Sequence, residues 1–273
     1  MTLNNFPFRD ITRLLQSPNG RKTLVAFVRY GGLPRHTKQT LTFDGYTFMV
    51  PDAFSFLYQL KEIFADEFYA FKTEESSPGR ETVIFDCGAN IGTSVVYFRQ
   101  QHPTARIVAF EADPVIGQIL TENLRQNHIE GVKVIQKAVW TDENGISLGG
   151  TEADGGSVFS TEAARPVPSV RLRDWLLREP RIDMLKMDIE GAELAVLADC
   201  ADALTNVRAM FVEFHAYIGH RQGLADLLTV LENSGFRYYI DTSQYRRSPL
   251  INHRYRNSTD MDLQLNIFAY REA

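Results

Sequence analysis

Five short apolar runs punctuate the middle of the chain, at residues 83–85, 106–110, 132–135, 184–187 and 210–214. Most are rich in β-branched and aromatic residues, and all are mostly apolar with little polar alternation, the pattern of a strand covered on both faces in a parallel sheet. The stretches between several of them carry apolar residues at three- and four-residue spacing, predicting helices over 93–101, 115–127 and 193–204. Strand and helix in alternation predict βαβ units and an α/β fold with a mostly parallel, doubly wound sheet. Two further runs, 236–242 and 263–270, read as an antiparallel strand pair that closes the sheet at its C-terminal end.

Residues 1–72 follow another rhythm and read as an N-terminal extension. Apolar positions 41–43 and 46–48 flank Asp44-Gly45, a dipeptide suited to the positive φ values of a tight hairpin turn. Phe54, Leu57, Tyr58, Lys61, Phe64, Phe68 and Phe71 then recur at helical spacing. The aromatic face so formed is expected to pack on the main domain rather than to bring Glu67 or Tyr69 to a cofactor, although the extension could also cap a substrate. A polar break over 72–80 separates it from a domain spanning 80–273. Residues 136–181 interrupt the strand–helix rhythm with an insertion holding a Gly- and acid-rich loop at 149–156, and a long loop near the end carries Arg246, Arg247, His253, Arg254 and Arg256. Such arginines could meet a phosphate or carboxylate on a substrate.

With 273 residues and 44% hydrophobic content, one large α/β domain with an extension fits better than two full domains. A formal charge of −5 argues against nucleic acid as a partner. No apolar stretch approaches the ~20 residues needed to span a bilayer, and residues 1–15 lack the apolar core of a secretory signal. Cys87 and Cys200 make no disulfide framework and no metal-ligand spacing. A cytoplasmic protein is the expectation, with oligomeric state left open.

The strongest chemical signal is a predicted strand running into Asp86-Cys87-Gly88-Ala89-Asn90-Ile91-Gly92-Thr93, then a helix, then a second strand ending in Glu111. Glycines let a chain leave a strand sharply and present backbone N–H groups at a helix N-terminus. An acid after the second strand is placed to accept the hydroxyls of an adenosine ribose. A nicotinamide-type loop needs glycines where this chain has Asn90 and Thr93, so an NAD-dependent oxidoreductase is disfavoured. Asp86 could pair with the ammonium of S-adenosylmethionine, which carries no pyrophosphate.

Residues 84–93, 108–114, the run Leu185-Lys-Met-Asp-Ile-Glu-Gly-Ala-Glu193, and Glu213-Phe-His215 together resemble the FkbM family of methyltransferases over roughly residues 80–240. Ala112 stands where the family more often has proline. The resemblance implies a Rossmann-like class I methyltransferase fold, S-adenosyl-L-methionine as cofactor, and O-methylation of a small-molecule hydroxyl such as that of a sugar, glycan or polyketide-type product. The expected cofactor contacts are Asp86, Gly88, Ala89, Asn90, Gly92, Thr93, Glu111, Ala138 and Asp188.

For the chemistry, His215 is the candidate general base, with Glu213 orienting it from the same strand face and Asp188 and Lys186 as alternatives. His215 could equally be a hydrogen-bonded core residue. Asp188, Glu190, Glu213 and His215 could also hold Mg²⁺ or Mn²⁺, but a required metal is not favoured, and transfer is expected to survive a chelator. A binding protein that keeps the S-adenosylmethionine pocket without catalysis is the competing reading, disfavoured because these four polar positions are intact.

Overall fold

The computed structural model describes residues 11–72, 80–149, 157, 159, 164–242, 248–255 and 260–272. The chain opens with helices α1 (Ile11–Gln16) and α2 (Pro18–Tyr30), the hairpin β1 (Gln39–Phe43) and β2 (Tyr46–Val50), and α3 (Ala53–Leu60), which runs on into a π-helical turn at Lys61–Ala65. There follow β3 (Val83–Cys87), α4 (Thr93–Gln101), β4 (Arg106–Phe110), α5 (Pro114–Gln126) and β5 (Val132–Ile135). An insertion holds β6 (Ala138–Trp140), β7 (Ile146–Leu148), β8 (Arg165–Val167), β9 (Ser169–Arg171) and α6 (Leu172–Leu177). The remainder is β10 (Ile182–Met187), α7 (Glu193–Asp199), β11 (Val207–Tyr217), α8 (Leu224–Asn233), β12 (Arg237–Asp241) and β13 (Met261–Tyr270).

The main sheet has the order β12-β13-β11-β10-β3-β4-β5, parallel from β11 through β5. β3 and β10 are buried at every position, as expected for strands covered on both faces. Ile84, Ile107 and Ala109 face a core shared with α4 and α5, while Val83, Phe85, Val108 and Phe110 face a second core with α6, α7 and α8. This is the doubly wound sheet predicted from the apolar runs. The closing pair is antiparallel as expected, but β13 inserts between β11 and β12, pairing with both. It alone runs against the sheet.

The extension shares the first core rather than making one of its own: Phe48, Phe56, Leu57, Leu60 and Phe64 join Ile84, Val95 and Ile107. Asp44 and Gly45 have φ of 51° and 84°, the geometry anticipated for the hairpin turn. Asn123 on α5 ties the hairpin down, accepting from the Met49 amide at 2.7 Å and donating to the Met49 carbonyl at 3.1 Å and the Ile91 carbonyl at 2.9 Å. Because Asn123 is fully buried, truncating it would leave several backbone groups unpaired, at about 1–3 kcal/mol each.

Three expectations need correction. The aromatic helix ends at Ala65 instead of continuing to Phe71, and its deepest residues include Phe56 and Leu60, which lie outside the anticipated stripe. Helix α2 was not anticipated, although Ser17 caps it by accepting from the Gly20 amide at 2.8 Å and Pro18 occupies its first turn. β11 extends to Tyr217, beyond the predicted 214. Most of the 149–156 loop, and Arg246, Arg247 and Arg256, lie outside the described residues. Among the described residues, no helix is long and apolar enough to cross a membrane.

Candidate active site

From β3 the chain proceeds to β4 and β5 on one side of the sheet, while β10 and β11 lie on the other. The carboxyl ends of β3 and β10 therefore border the point where strand order reverses, the usual place for a ligand in such sheets. In register, Asp86 pairs with Lys186 and Cys87 with Met187, so the turns after both strands meet. They meet closely: a Cβ on Gly88 would lie 1.8 Å from the Asp188 carbonyl oxygen, and Gly88 has φ of +82°. Only glycine allows that approach.

The carboxylate of Glu111, at the end of β4, accepts from the amides of Asn90 and Asp113, each at 2.8 Å. Burial pushes its pKa up to about 7 against those two hydrogen bonds. Gly88, Asn90, Glu111, Ala138 and Asp188 line a narrow slot walled by Phe110, Ile116, Val139, Ile146 and Leu148. A slot with aliphatic walls at one end and Glu111 at the end of the second strand suits an adenosine, with purine between the walls and ribose at Glu111. Four anticipated cofactor residues do not line it. Asp86 is fully buried behind the turn, accepting from Ser94 at 2.5 Å and paired with Lys186 at 3.4 Å. Thr93 turns into the core to donate to Gln59 at 2.7 Å, and Gly92 serves the turn with φ of +91°. Glycine spacing shows that a turn is present, but not which of its side chains turn outward. Ala89 lines only the neighbouring cavity.

That second cavity, about 690 Å³, meets the slot at Gly88, Asn90, Asp188 and Glu190. Its floor includes Lys186, Glu213 and His215, and its opposite wall comes from the extension through Phe54, Tyr58, Gln59, Glu62 and Tyr69. The aromatic helix thus does more than pack: one face is core and the other faces this space. Glu67 does not line it, whereas Tyr69 does.

His215 is buried, and its Nδ1 lies 3.0 Å from Glu193 Oε1. Its Nε2 looks toward Glu190 Oε2 at 3.7 Å and Glu213 Oε2 at 4.0 Å. Burial alone would lower the imidazole pKa, but Glu190, Glu193 and Glu213 outweigh it and hold the ring well above its ordinary value. The same three carboxylates favour the protonated form of the ring. Orientation also differs from expectation: Glu193, from α7, fixes the ring, while Glu213 stands on its other side. Lys186 is buried, donating to the Gly88 carbonyl and 3.5 Å from Asp188. Burial would lower its pKa, but Asp188, Asp86 and Glu213 overcome this and raise it. Lys186 thus sits between carboxylates that favour its ammonium form.

Sequence reasoning missed Glu193 as the orienting carboxylate, Tyr217, which donates to Glu190 at 3.1 Å, and Gln264, which donates to Glu213. Only Glu193 left a trace, as the final acid of the Lys186-to-Glu193 run.

Residues 86–238 match the model of the methyltransferase FkbM domain. Methyltransferase sdnD of Sordaria araneosa is 30% identical over 226 residues, covering 68% of this chain and 83% of that protein. The 31-O-demethyl-FK506 methyltransferase FkbM of Streptomyces tacrolimicus is 29% identical over 219 residues, covering 66% and 81%. A hexuronic acid methyltransferase, AglP, of Haloferax volcanii is 30% identical over 142 residues, covering 50% and 57%. The chain belongs to the FkbM family of S-adenosylmethionine-dependent methyltransferases.

Proposed function

We propose that the protein transfers the S-adenosylmethionine methyl group to a hydroxyl oxygen of a small molecule, such as a sugar, glycan or polyketide-type product, seated in the 690 Å³ cavity. One observation carries the reading: the slot and the cavity join at Gly88, Asn90, Asp188 and Glu190, so a methyl presented from one side faces an acceptor on the other. Relatives named for a demethyl-FK506 and a hexuronic acid support a small acceptor.

On this reading Gly88, Asn90, Glu111 and Ala138 hold the cofactor, with Glu111 on the ribose hydroxyls and Asp188 at the join. The acceptor oxygen forms the new C–O bond as the S–C bond breaks and its electron pair returns to sulfur, leaving S-adenosylhomocysteine. Near-attack alignment of the two ligands supplies much of the rate. The hydroxyl proton passes to the cluster of Asp188, Glu190, Glu213 and His215, in which Glu190 is the carboxylate that faces both spaces together with Asp188. Residues 11–72 act as a cap, closing the acceptor side with Phe54, Tyr58 and Tyr69. Cys87 and Cys200, both buried and unpaired, fit a reducing cytoplasm.

The test incubates the protein with S-adenosylmethionine and a panel of hydroxylated small molecules, following S-adenosylhomocysteine release and the product mass. Formation of an O-methyl ether supports the proposal. A product methylated on nitrogen or carbon, or only on a macromolecule, overturns it.

A further inference from the structure

From Ile11 to Phe43 the chain carries Arg13, Arg21, Lys22, Arg29, Arg35 and Lys38 and no acidic residue, although the whole molecule holds 34 acids against 29 Lys and Arg. Part of that charge is gathered on one side of α2. Arg21, Lys22, Val25, Val28 and Arg29 are all exposed, and at about 100° per residue they fall within one arc of roughly a third of the helix. Opposite them Thr23, Ala26, Phe27 and Tyr30 are buried. Val28 is 82% exposed, Val25 65%, and Leu15 of α1 51%. Polar residues normally fill the solvent side of a helix; here it holds aliphatic side chains and cations, with no acid.

The cations also border a hollow. Between α2 and the β1–β2 hairpin lies an open cavity of about 490 Å³, lined by Arg21, Lys22 and Arg29 with Val25, Tyr30 and Phe43. The one acid on its wall, Asp44, pairs with Lys22 at 2.6 Å. Arg21 and Arg29 meet no carboxylate among the described residues: Arg21 donates to the Leu15 carbonyl at 2.8 Å, and Arg29 lies over the Tyr30 ring at 5.2 Å. Two guanidinium groups without a counter-charge at one concavity suit a phosphate, which their planar forks can bind.

We propose that α2 docks on an anionic lipid bilayer, with a phospholipid phosphate in the hollow at Arg21 and Arg29 and with Leu15, Val25 and Val28 in the interfacial layer. The mixed character of the face selects this occupant. A nucleic-acid backbone would take the guanidinium groups but leave three aliphatic side chains in water, whereas the boundary between headgroup and acyl chain takes both. Screening limits the field of the acids elsewhere on the molecule to about 8 Å at physiological ionic strength, so the local charge governs docking. Lying on a surface requires no spanning helix, and none is present among the described residues. Phe27, on the buried side of α2, meets Tyr58 with ring centroids 6.2 Å apart, and Tyr58 lines the 690 Å³ cavity. The docked helix therefore backs onto the wall of that cavity, whatever acceptor it takes.

The test measures co-sedimentation of the full chain with vesicles of phosphatidylcholine alone and of phosphatidylcholine mixed with phosphatidylglycerol, over a range of salt. Binding to the anionic vesicles only, weakening as salt rises, is expected. Each basic residue at an anionic surface strengthens binding about fivefold, so the double variant Arg21→Gln, Arg29→Gln should lose about 25-fold. Val28→Ser removes apolar contact and no charge, and should lose about tenfold. Melting curves of both variants, expected to match wild type at such exposed positions, show that the fold is retained. Equal binding to neutral vesicles, binding to neither, or variants that bind as wild type overturn the proposal. Binding of inorganic phosphate that the double variant abolishes, with vesicles ignored, also overturns it by marking a soluble-anion site. A wild-type dimer that Val28→Ser dissociates, again with vesicles ignored, overturns it in favour of contact between copies of the chain.

Discussion

Gly88 and Gly92 look alike in sequence and have left-handed φ of 82° and 91°, yet their surroundings predict unequal consequences for substitution by alanine. At both positions an L-residue costs about 1–2 kcal/mol of backbone strain. The added methyl at position 92 meets Leu120 Cδ1 at 2.7 Å, the far end of a side chain that can rotate away. At position 88 it meets the Asp188 carbonyl at 1.8 Å, so the turn after β3 must separate from the turn after β10. Overpacking that moves backbone adds typically about 1–3 kcal/mol. The total is about 2–5 kcal/mol for Gly88→Ala against about 1–2 for Gly92→Ala, or roughly 4–20 °C against 2–8 °C in melting temperature for a chain of this size. Gly88→Ala should also weaken S-adenosylhomocysteine binding more than Gly92→Ala, since the displaced turn carries the Asn90 amide away from Glu111. Urea denaturation and calorimetry on both variants measure these differences. Equal stabilities, or a Gly88→Ala protein that binds as wild type, would refute the close-approach argument.

Glu111 ionises near pH 7, and the ribose hydroxyls would bond its carboxylate. Affinity for S-adenosylhomocysteine should therefore rise as pH is raised through 7, being about tenfold weaker at pH 6 than on the alkaline plateau; a Glu111→Gln variant that keeps the same slope would exclude this origin. Lys186→Met leaves the buried Asp86 carboxylate without its cation, predicting a loss of about 3–5 kcal/mol by urea denaturation; a change under about 1 kcal/mol would show that Ser94 alone suffices for Asp86. Asp52 caps α3, where burial would raise its pKa but the His36 and Ser55 amides and Arg35 hold it at about 2. Because the folded pKa is depressed, its contribution is complete above about pH 4 and disappears as pH falls toward 2. Wild type and Asp52→Asn should therefore converge in melting temperature over that window, and parallel curves would contradict the assignment.

Much of the fold was legible because β3, β4 and β10 are covered on both faces and can be built only from continuous apolar runs. Helix α2 escaped because its buried face includes Gly20 and Thr23 while Val25 and Val28 are exposed, which blurs the apolar spacing and leaves the Ser17-Pro18 start as its only local mark. The turn after β3 was legible as a turn, since the positive φ values demand glycine there. The fate of its side chains was not. Thr93 turns toward α3 because Gln59, 34 positions earlier, accepts its hydroxyl there. Glu193 orients His215 across 22 positions because α7 packs on β11. Such pairings follow from how elements dock, and no local pattern encodes them.

Glu190 shows how the site's chemistry and its backbone constrain each other. Its φ of 53° is left-handed, a conformation that costs a non-glycine residue about 1–2 kcal/mol, and Gly191 follows at 101°. A glycine at 190 would remove that strain but would also remove the carboxylate. The observed residue is held from both ends: Ser157 donates to its carbonyl at 3.0 Å and Tyr217 to its carboxylate at 3.1 Å. Tyr217 reaches it because β11 continues past the end of β10, whose last residue, Met187, pairs with Val212. The extra length of β11 therefore carries Glu213 and His215 to the cavity floor and positions the hydroxyl that steadies Glu190. Strain sits in the turn after β10, which sets Asp188 and Glu190 at the join between slot and cavity, and the long strand beside it is what makes that strain sustainable.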